Sequence, residues 1–288
     1  MRIIENLEEM RETAGELAIG GQSSGLVPTM GALHDGHASL LRRSAAENDV
    51  NIISIFVNPA QFMPGEDYES YPRTWDADLE AAEAAGVDIV FHPSAEDMYP
   101  PRAQTSVVVH ALTRGLCGMS RGQGHFRGVT TVVAKLFNLV RPTRAYFGQK
   151  DAQQAVVIQR MVIDLNFPVE IIVCPIVREA DGLALSSRNR NLPPEHRQRA
   201  LALREALTLG RKLVRGGETD VSALTYAMGQ HILRDNDIEL DYLEIVSPET
   251  LEAVDKLDDL ALIAGAVKIG GVRLIDNILV GPTGPWED

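Results

Sequence analysis

The feature that most constrains this chain is an alternation. Short β-rich runs are each followed by a longer stretch with helical spacing. Residues 25–29 (GLVPT) follow the breaker 20–24 (GGQSS) and read as a strand, and a helical pattern then runs from residue 36 to about 48. Residues 51–57 (NIISIFV) are almost continuously apolar, as expected of a strand buried on both faces. The order continues with a helix over 74–85, a strand over 87–91, a further strand expected at 107–109, and a helix over 128–140. A strand at 144–147, a helix over 151–165 and a strand over 169–177 complete it. This βαβα order predicts a doubly wound, Rossmann-like parallel sheet.

The stretch 178–194 breaks the pattern. It is polar, 17 residues long, and holds Asp181-Gly182 and Ser186-Ser187-Arg188-Asn189. Loops of that length are commonly functional segments or linkers. Helical patterns follow at 195–215 and 221–236, then strands near 242–246, 260–267 and 272–280. The reading is a Rossmann-like domain over 1–176 and a smaller α+β domain over 177–288. The tail 281–288 (GPTGPWED) reads as flexible.

Composition narrows the function classes. The net charge is −13, from 27 basic and 40 acidic residues, which disfavours nucleic acid as the main partner. No apolar run approaches the ~18 residues of a membrane span, and the N-terminus lacks a signal-peptide core. Two cysteines, Cys117 and Cys174, supply neither a disulfide framework nor a structural zinc site. The chain reads as soluble and cytoplasmic. Only five of the 27 basic residues are lysines, so Lys150 stands out. No phosphate-binding G-x-x-x-x-G-K-[ST] occurs. Gly122-Gln123-Gly124 lacks the strand and third glycine of a dinucleotide fingerprint, and reads as a loop entering a helix.

Four clusters carry chemistry. Met30, Gly31, Ala32, Leu33, His34, Asp35, Gly36 and His37 follow the first assigned strand and open a helix. Carboxyl ends of strands bind ligands in open α/β sheets, and helix starts favour phosphate. His34 and His37, three apart, can face one point. The same string also suits a polar turn that caps a helix. Gly148, Gln149, Lys150 and Asp151, with Gln154 beyond, repeat the strand-to-helix setting. There Asp151 could cap and Gln154 could close a capping box, or Lys150 could meet a phosphate. Leu185, Ser186, Ser187 and Arg188 could grip a polyphosphate or simply cap a helix. Gln61, after Asn58-Pro59, could orient a hydroxy acid or be a plain loop residue. Taken together, the clusters suit transfer at a nucleotide α-phosphate.

These motifs, in this order, resemble the pantoate–β-alanine ligase family of the H-I-G-H nucleotidyltransferase superfamily. The resemblance runs from Val27 to Asn277 and includes Phe56-Val57-Asn58-Pro59, Tyr71-Pro72-Arg73-Thr74, His125-Phe126, Gln153-Gln154 and Val272-Arg273-Leu274-Ile275-Asp276-Asn277. It implies a Rossmann-like domain with a C-terminal lid, a homodimer, and condensation of (R)-pantoate with β-alanine using ATP and Mg²⁺, through pantoyl-adenylate. It implies ATP contacts at Met30, Gly31, Ala32, Leu33, His34, Asp35, Gly36, His37, Gly148, Gln149, Lys150, Asp151, Val177, Leu185, Ser186, Ser187 and Arg188. His37 would be the proton donor, Gln61 and Gln154 would hold pantoate, and Asp78 would contact magnesium. His34, His37, Lys150, Ser186, Ser187 and Arg188 would carry the phosphate chemistry. Three positions depart from the pattern. Gln149 replaces the family's glutamate, the loop from Arg121 to Phe126 is one residue longer and lacks its proline, and Ala77 stands where some members have an acid. A nucleotidyltransferase that keeps the nucleotide in its product, and a nucleotide sensor, are the rival readings.

Overall fold

The computed structural model describes residues 1–281, with the side chains of Ser120 and Gln123 set aside. The tail expected to be flexible lies outside the described residues from 282 onward. Tertiary contacts divide the chain into two compact units. One comprises Met1–Ala111, Arg121–Gly148 and Val157–Cys174; the other comprises Leu112–Ser120, Gln149–Val156 and Pro175–Asp288.

The first unit is built on a six-stranded sheet with order β1-β4-β3-β2-β5-β6, every pair parallel. In chain order its elements begin with β1 (Arg2–Ile4), α1 (Leu7–Ile19), β2 (Ser24–Thr29), α2 (Asp35–Glu47) and β3 (Val50–Ile55). They continue with α3 (Trp75–Ala84), β4 (Ile89–Phe91), α4 (Ala95–Met98), α5 (Cys117–Val140), β5 (Arg144–Gly148), α6 (Ala152–Asp164) and β6 (Glu170–Cys174). The first residues of α5 and of α6 belong to the second unit. All six residues of β3 are buried, as a strand covered on both faces must be. From β2 the order runs one way through β3 and β4, and the other way through β5. The sheet therefore reverses between β2 and β5, the place where doubly wound sheets open a crevice at their carboxyl ends.

Several expectations changed. β1 and α1 had no counterpart in the sequence reading. The Asn6 side chain starts α1 by accepting from the N–H groups of Glu8 and Glu9. Residues 107–109 form no strand. The Val107 N–H donates to Thr131 Oγ1, and Thr130 Oγ1 donates to the Val107 carbonyl, so α5 side chains take bonds that a ladder would have used. The helix expected at 128–140 starts earlier, just past Gly122 (φ 72°, ψ 167°), a non-helical residue that separates it from a short helical stretch beginning at Cys117.

The second unit holds an antiparallel sheet of β7 (Glu239–Val246), β8 (Ala261–Ile269) and β9 (Val272–Val280), in that order. The helix expected over 195–215 is divided into α7 (Pro194–Arg197), a 3₁₀ turn Arg199–Leu201 and α8 (Ala202–Arg215), and α9 (Val221–Ile232) follows. Leu203, Ala206, Leu207, Gly210 and Val214 are buried along one face of α8, the spacing of a helix with a single core side. Leu203, Ala206, Leu207 and Val214 join Met228, Ile232, Ile245, Ile263 and Ile278 in one core. Between β8 and β9 the turn is Gly270-Gly271, with φ values of 54° and 78°. Two left-handed residues in a two-residue loop match the twist of the strands they join.

One close approach ties the first unit's helix layer to a loop. A Cβ on Gly128, in α5, would lie 2.1 Å from the Ala60 carbonyl oxygen and 2.5 Å from the Gln61 nitrogen. Both are backbone atoms, which cannot rotate aside. Gly128→Ala should therefore lower stability by about 1–3 kcal/mol, as overpacking does, read as a drop in melting temperature.

Candidate active site

In the first unit, β2 ends at Thr29 and the chain turns sharply before α2. Gly31 has φ 81° and Ala32 φ 51°, both left-handed, and the Gly31 N–H donates to Thr29 Oγ1 at 3.2 Å. The turn is held from α3. Asp78, 3% exposed, accepts from the Ala32 N–H at 3.0 Å and the Leu33 N–H at 2.7 Å. Thr74 Oγ1 donates to the same carboxylate at 3.1 Å. A Cβ at Gly31 would sit 2.8 Å from Asp78 Oδ2, so both φ and space call for glycine there.

Two expectations meet at this carboxylate. The resemblance implies ATP contacts at Ala32 and Leu33, and the N–H groups of both are engaged by Asp78, so a phosphate would have to displace it to use them. Asp78, anticipated at magnesium, has both oxygens in bonds to its own chain, an arrangement that organises a turn. Among the described residues, no group of three or more His, Cys, Asp or Glu side chains is placed to hold a metal. The side chains present do not fit a protein-held magnesium.

His34 caps α2, its Nδ1 accepting from the Gly36 N–H at 3.1 Å. An Nδ1 that accepts leaves the proton of the neutral ring on Nε2, so His34 is poised as an Nε2–H donor. The His34 and His37 rings lie 4.1 Å apart, tilted by 33°. The three-residue spacing has thus brought the two imidazoles together. Ser39 Oγ donates to the Gly36 carbonyl, continuing the bonded first turn.

Gln61 ends a 3₁₀ turn, Pro59–Gln61, after β3. Its Nε2 lies 3.0 Å from Met30 Sδ, so two of the named positions meet directly. Asn58, 1% exposed, went without a role in the sequence reading. Its Nδ2 donates to Gln61 Oε1 at 2.9 Å and to the Gly128 carbonyl at 3.1 Å. Its Oδ1 accepts from Tyr99 Oη at 2.8 Å. Burial pushes the Tyr99 phenol up to about 12, against the opposing pull of Asn58, so it stays a donor. A polar residue directly after a nearly continuous apolar run was the available signal.

His125 was likewise given no individual role. Its Nδ1 bonds the Gln61 carbonyl at 2.7 Å, and Arg121 Nη1 meets its Nε2 at 3.2 Å. A carbonyl only accepts and a guanidinium only donates, so His125 is neutral with its proton on Nδ1. Arg121 also makes a two-pronged pair with Glu66, at 3.1 and 3.2 Å. Burial raises the Glu66 carboxyl, but the hydrogen bonds and charge of Arg121 and the Met63 N–H outweigh it and hold the group below its ordinary 4.5.

In the second unit, Gln149–Asp151 form a 3₁₀ turn that runs into α6. The Asp151 cap and the Gln154 capping box do not form, because the turn continues without a break. Lys150 Nζ is 3.8 Å from Asp151. Gln153 is engaged structurally, accepting from the Cys117 N–H and donating to the Leu112 and Gly115 carbonyls. Its neighbour Gln154 is half-buried on α6. The Leu185 N–H donates to the Val177 carbonyl at 3.0 Å. Ser186 caps the 3₁₀ turn Ser187–Asn191 through a bond from the Arg188 N–H at 3.3 Å. Its hydroxyl hydrogen remains available as a donor. The capping role weighed for this loop is therefore present, together with the arginine.

A parallel sheet that reverses between β2 and β5, with polar turns after β2 and β3, places the first unit in the doubly wound α/β class. The family model described as Pantoate-beta-alanine ligase matches residues 2–279. The chain belongs to that family. It is 55% identical over 281 residues to a pantothenate synthetase of Thermotoga neapolitana, covering 98% of this chain and 100% of the relative. It is 52% identical over 280 residues to that of Moorella thermoacetica, covering 97% and 99%. Among solved structures it is similar to pantothenate synthetase from Thermus thermophilus, with TM-score 0.92, 45% identity, and 98% and 100% of the two chains covered. A pantoate–β-alanine ligase from Francisella tularensis, complexed with beta-gamma ATP and beta-alanine, aligns with TM-score 0.78 at 36% identity, covering 98% and 100%.

Two outcomes follow for the first unit. Asp78→Asn sets an amide N–H₂ against backbone N–H groups and should cost about 1–3 kcal/mol. Turnover should fall, while a magnesium titration of the remaining activity keeps its wild-type midpoint. For Glu66, the folded-state value lies below the unfolded one. Its contribution to stability is present above 4.5 and is lost as pH falls through the folded value. Melting temperature against pH should therefore fall less steeply on the acid side in Glu66→Gln than in the wild type.

Proposed function

We propose that the chain condenses pantoate with β-alanine in two steps on ATP. The pantoate carboxylate attacks the α-phosphorus, forming an acyl–phosphate bond as the bond to pyrophosphate breaks. The β-alanine amine then attacks the acyl carbon of pantoyl-adenylate, forming the amide as AMP leaves and the amine loses a proton. The observation that carries this reading is the capped, close-set imidazole pair at the start of α2. The cap fixes His34 as an Nε2–H donor without a conformational search, and His37 lies against it. Preorganised donors of this kind stabilise charge that develops in the transition state.

From the first unit, His34 and His37 serve the phosphate, with His37 as proton donor to the departing group. Met30, Gly31, Ala32, Leu33, Asp35 and Gly36 form the wall against which the nucleotide lies. Gln61 holds pantoate. Its neutral amide orients a hydroxy acid without neutralising the carboxylate that must attack, and Asn58 and His125 keep it in place. From the second unit, Lys150 supplies a cation, and Ser186, Ser187 and Arg188 supply hydroxyl and guanidinium donors. Gly148, Gln149, Asp151, Val177 and Leu185 line the nucleotide, and Gln154 holds pantoate. Magnesium enters with the phosphates as part of the substrate, since Mg²⁺ in such enzymes is held largely by substrate phosphate and water.

The same reading takes residues 1–176 as the nucleotide- and pantoate-binding domain and 177–288 as the C-terminal domain. It also takes the protein to act as a cytoplasmic homodimer. Cys117 and Cys174 form no disulfide, which suits a reducing compartment. Among the described residues, no helix is long and apolar enough to cross a membrane.

The test is ATP–pyrophosphate exchange with pantoate and no β-alanine. Exchange that depends on pantoate is expected. Lys150→Ala and His37→Ala should fold normally and lose about 10²–10³ in exchange rate. Pantoate-independent exchange, or wild-type rates in both variants, would overturn the assignment.

A further inference from the structure

Two neighbouring residues of β9 have no part in the chemistry above. Asp276 and Asn277 are 5% and 3% exposed, and both side chains are fully committed to other segments of the second unit. Asn277 Nδ2 donates to the Gln149 carbonyl at 2.9 Å and to the Lys150 carbonyl at 3.1 Å. Its Oδ1 accepts from Gln149 Nε2 at 3.4 Å. Asp276 takes the Arg178 guanidinium in a two-pronged pair at 2.7 and 3.1 Å and accepts the Asn277 N–H at 2.8 Å. Arg178 in turn donates to the Gly182 carbonyl at 3.2 Å.

The two carbonyls that Asn277 holds are not arbitrary. One belongs to the peptide plane before the Lys150 Cα and the other to the plane after it. Pinning both planes fixes φ and ψ at Lys150, and with them the direction of its Cα–Cβ bond. Lysine is a point charge on a long flexible stem, so the root of that stem is where the fold can constrain it. Only a side chain with two donors on one nitrogen in a planar fork can serve both carbonyls here, and a carboxylate of the same shape cannot.

We propose that Asn277 is a positioning residue for Lys150 in the adenylation step. This rests on the role given to Lys150 above. Asp276, alongside it, steadies Asn277 through the backbone bond and anchors Arg178 at the head of the segment that leads to Ser186 and Arg188.

The experiment is a double-mutant cycle read by pantoate-dependent ATP–pyrophosphate exchange, using Asn277→Asp and Asn277→Ala singly and each combined with Lys150→Ala. Misplacing a catalytic group by about 1 Å costs up to ~10²-fold, so both single variants should lose about 10–100-fold in kcat. The KM for pantoate should stay near wild type and the thermal melt should stay cooperative. On the Lys150→Ala background, either substitution at 277 should add less than about twofold, because residues acting as a unit are not additive. Wild-type exchange in Asn277→Asp, or full additivity with Lys150→Ala, overturns the proposal alone. Failure of both single variants to fold also overturns it and makes Asn277 a purely structural residue. Absence of pantoate-dependent exchange in the wild type overturns the reaction assignment, and this proposal with it.

Discussion

The carboxylate of Asp78, buried and bonded to the N–H groups of Ala32 and Leu33, is the interaction on which the first unit's chemistry depends. A chain leaving a strand for a helix must turn within a few residues, and here it passes through two successive left-handed conformations. Ala32 holds that conformation without glycine's freedom, at a cost the carboxylate offsets with two charge-assisted bonds. The anion comes from α3, more than forty residues later, so the turn forms only when the helix layer has packed. Every residue from His34 onward inherits its position from that closure.

A second form of the same principle holds Gln61. Its amide and its carbonyl are gripped by different partners, Asn58 on one side and His125 on the other. Both partners act as donors. Asn58 donates to Gln61 Oε1, and His125, neutral with its proton on Nδ1, donates to the Gln61 carbonyl. Arg121 maintains that state by presenting donors to the other ring nitrogen, and Glu66 balances its charge. Several charged groups thus secure one neutral amide, which is itself the group suited to a substrate carboxylate that must stay reactive.

Much of this was legible in the sequence. The alternation of apolar runs and helical spacing gave the parallel sheet, because burial on both faces writes itself into a strand as an unbroken apolar run. The histidine pair was legible because three-residue spacing on a helix is a local rule. β1 was missed because a three-residue edge strand carries almost no periodic signal. The strand expected at 107–109 failed because threonines of α5, distant in sequence, satisfied its backbone first. The turn-holding role of Asp78 was missed for a related reason. A carboxylate near a phosphate site reads as a cation ligand until the partners of its oxygens are known. Asn277 and Asp276 were visible as members of a motif, but what they hold is more than ninety residues away and could not be inferred from spacing.

The Gly270-Gly271 turn sets the register in which Ala264 faces Asn277 and Gly265 faces Asp276. Strand side chains alternate sides, so a slip of a single residue would exchange the two, turning the amide away from Lys150 and the carboxylate away from Arg178. A hairpin loop on an antiparallel sheet is ordinarily where a protein tolerates insertion most easily. In this chain its length is a timing mark for the chemistry. Inserting a residue between the two glycines, or deleting either of them, would disable phosphate handling without altering any residue that meets the substrate.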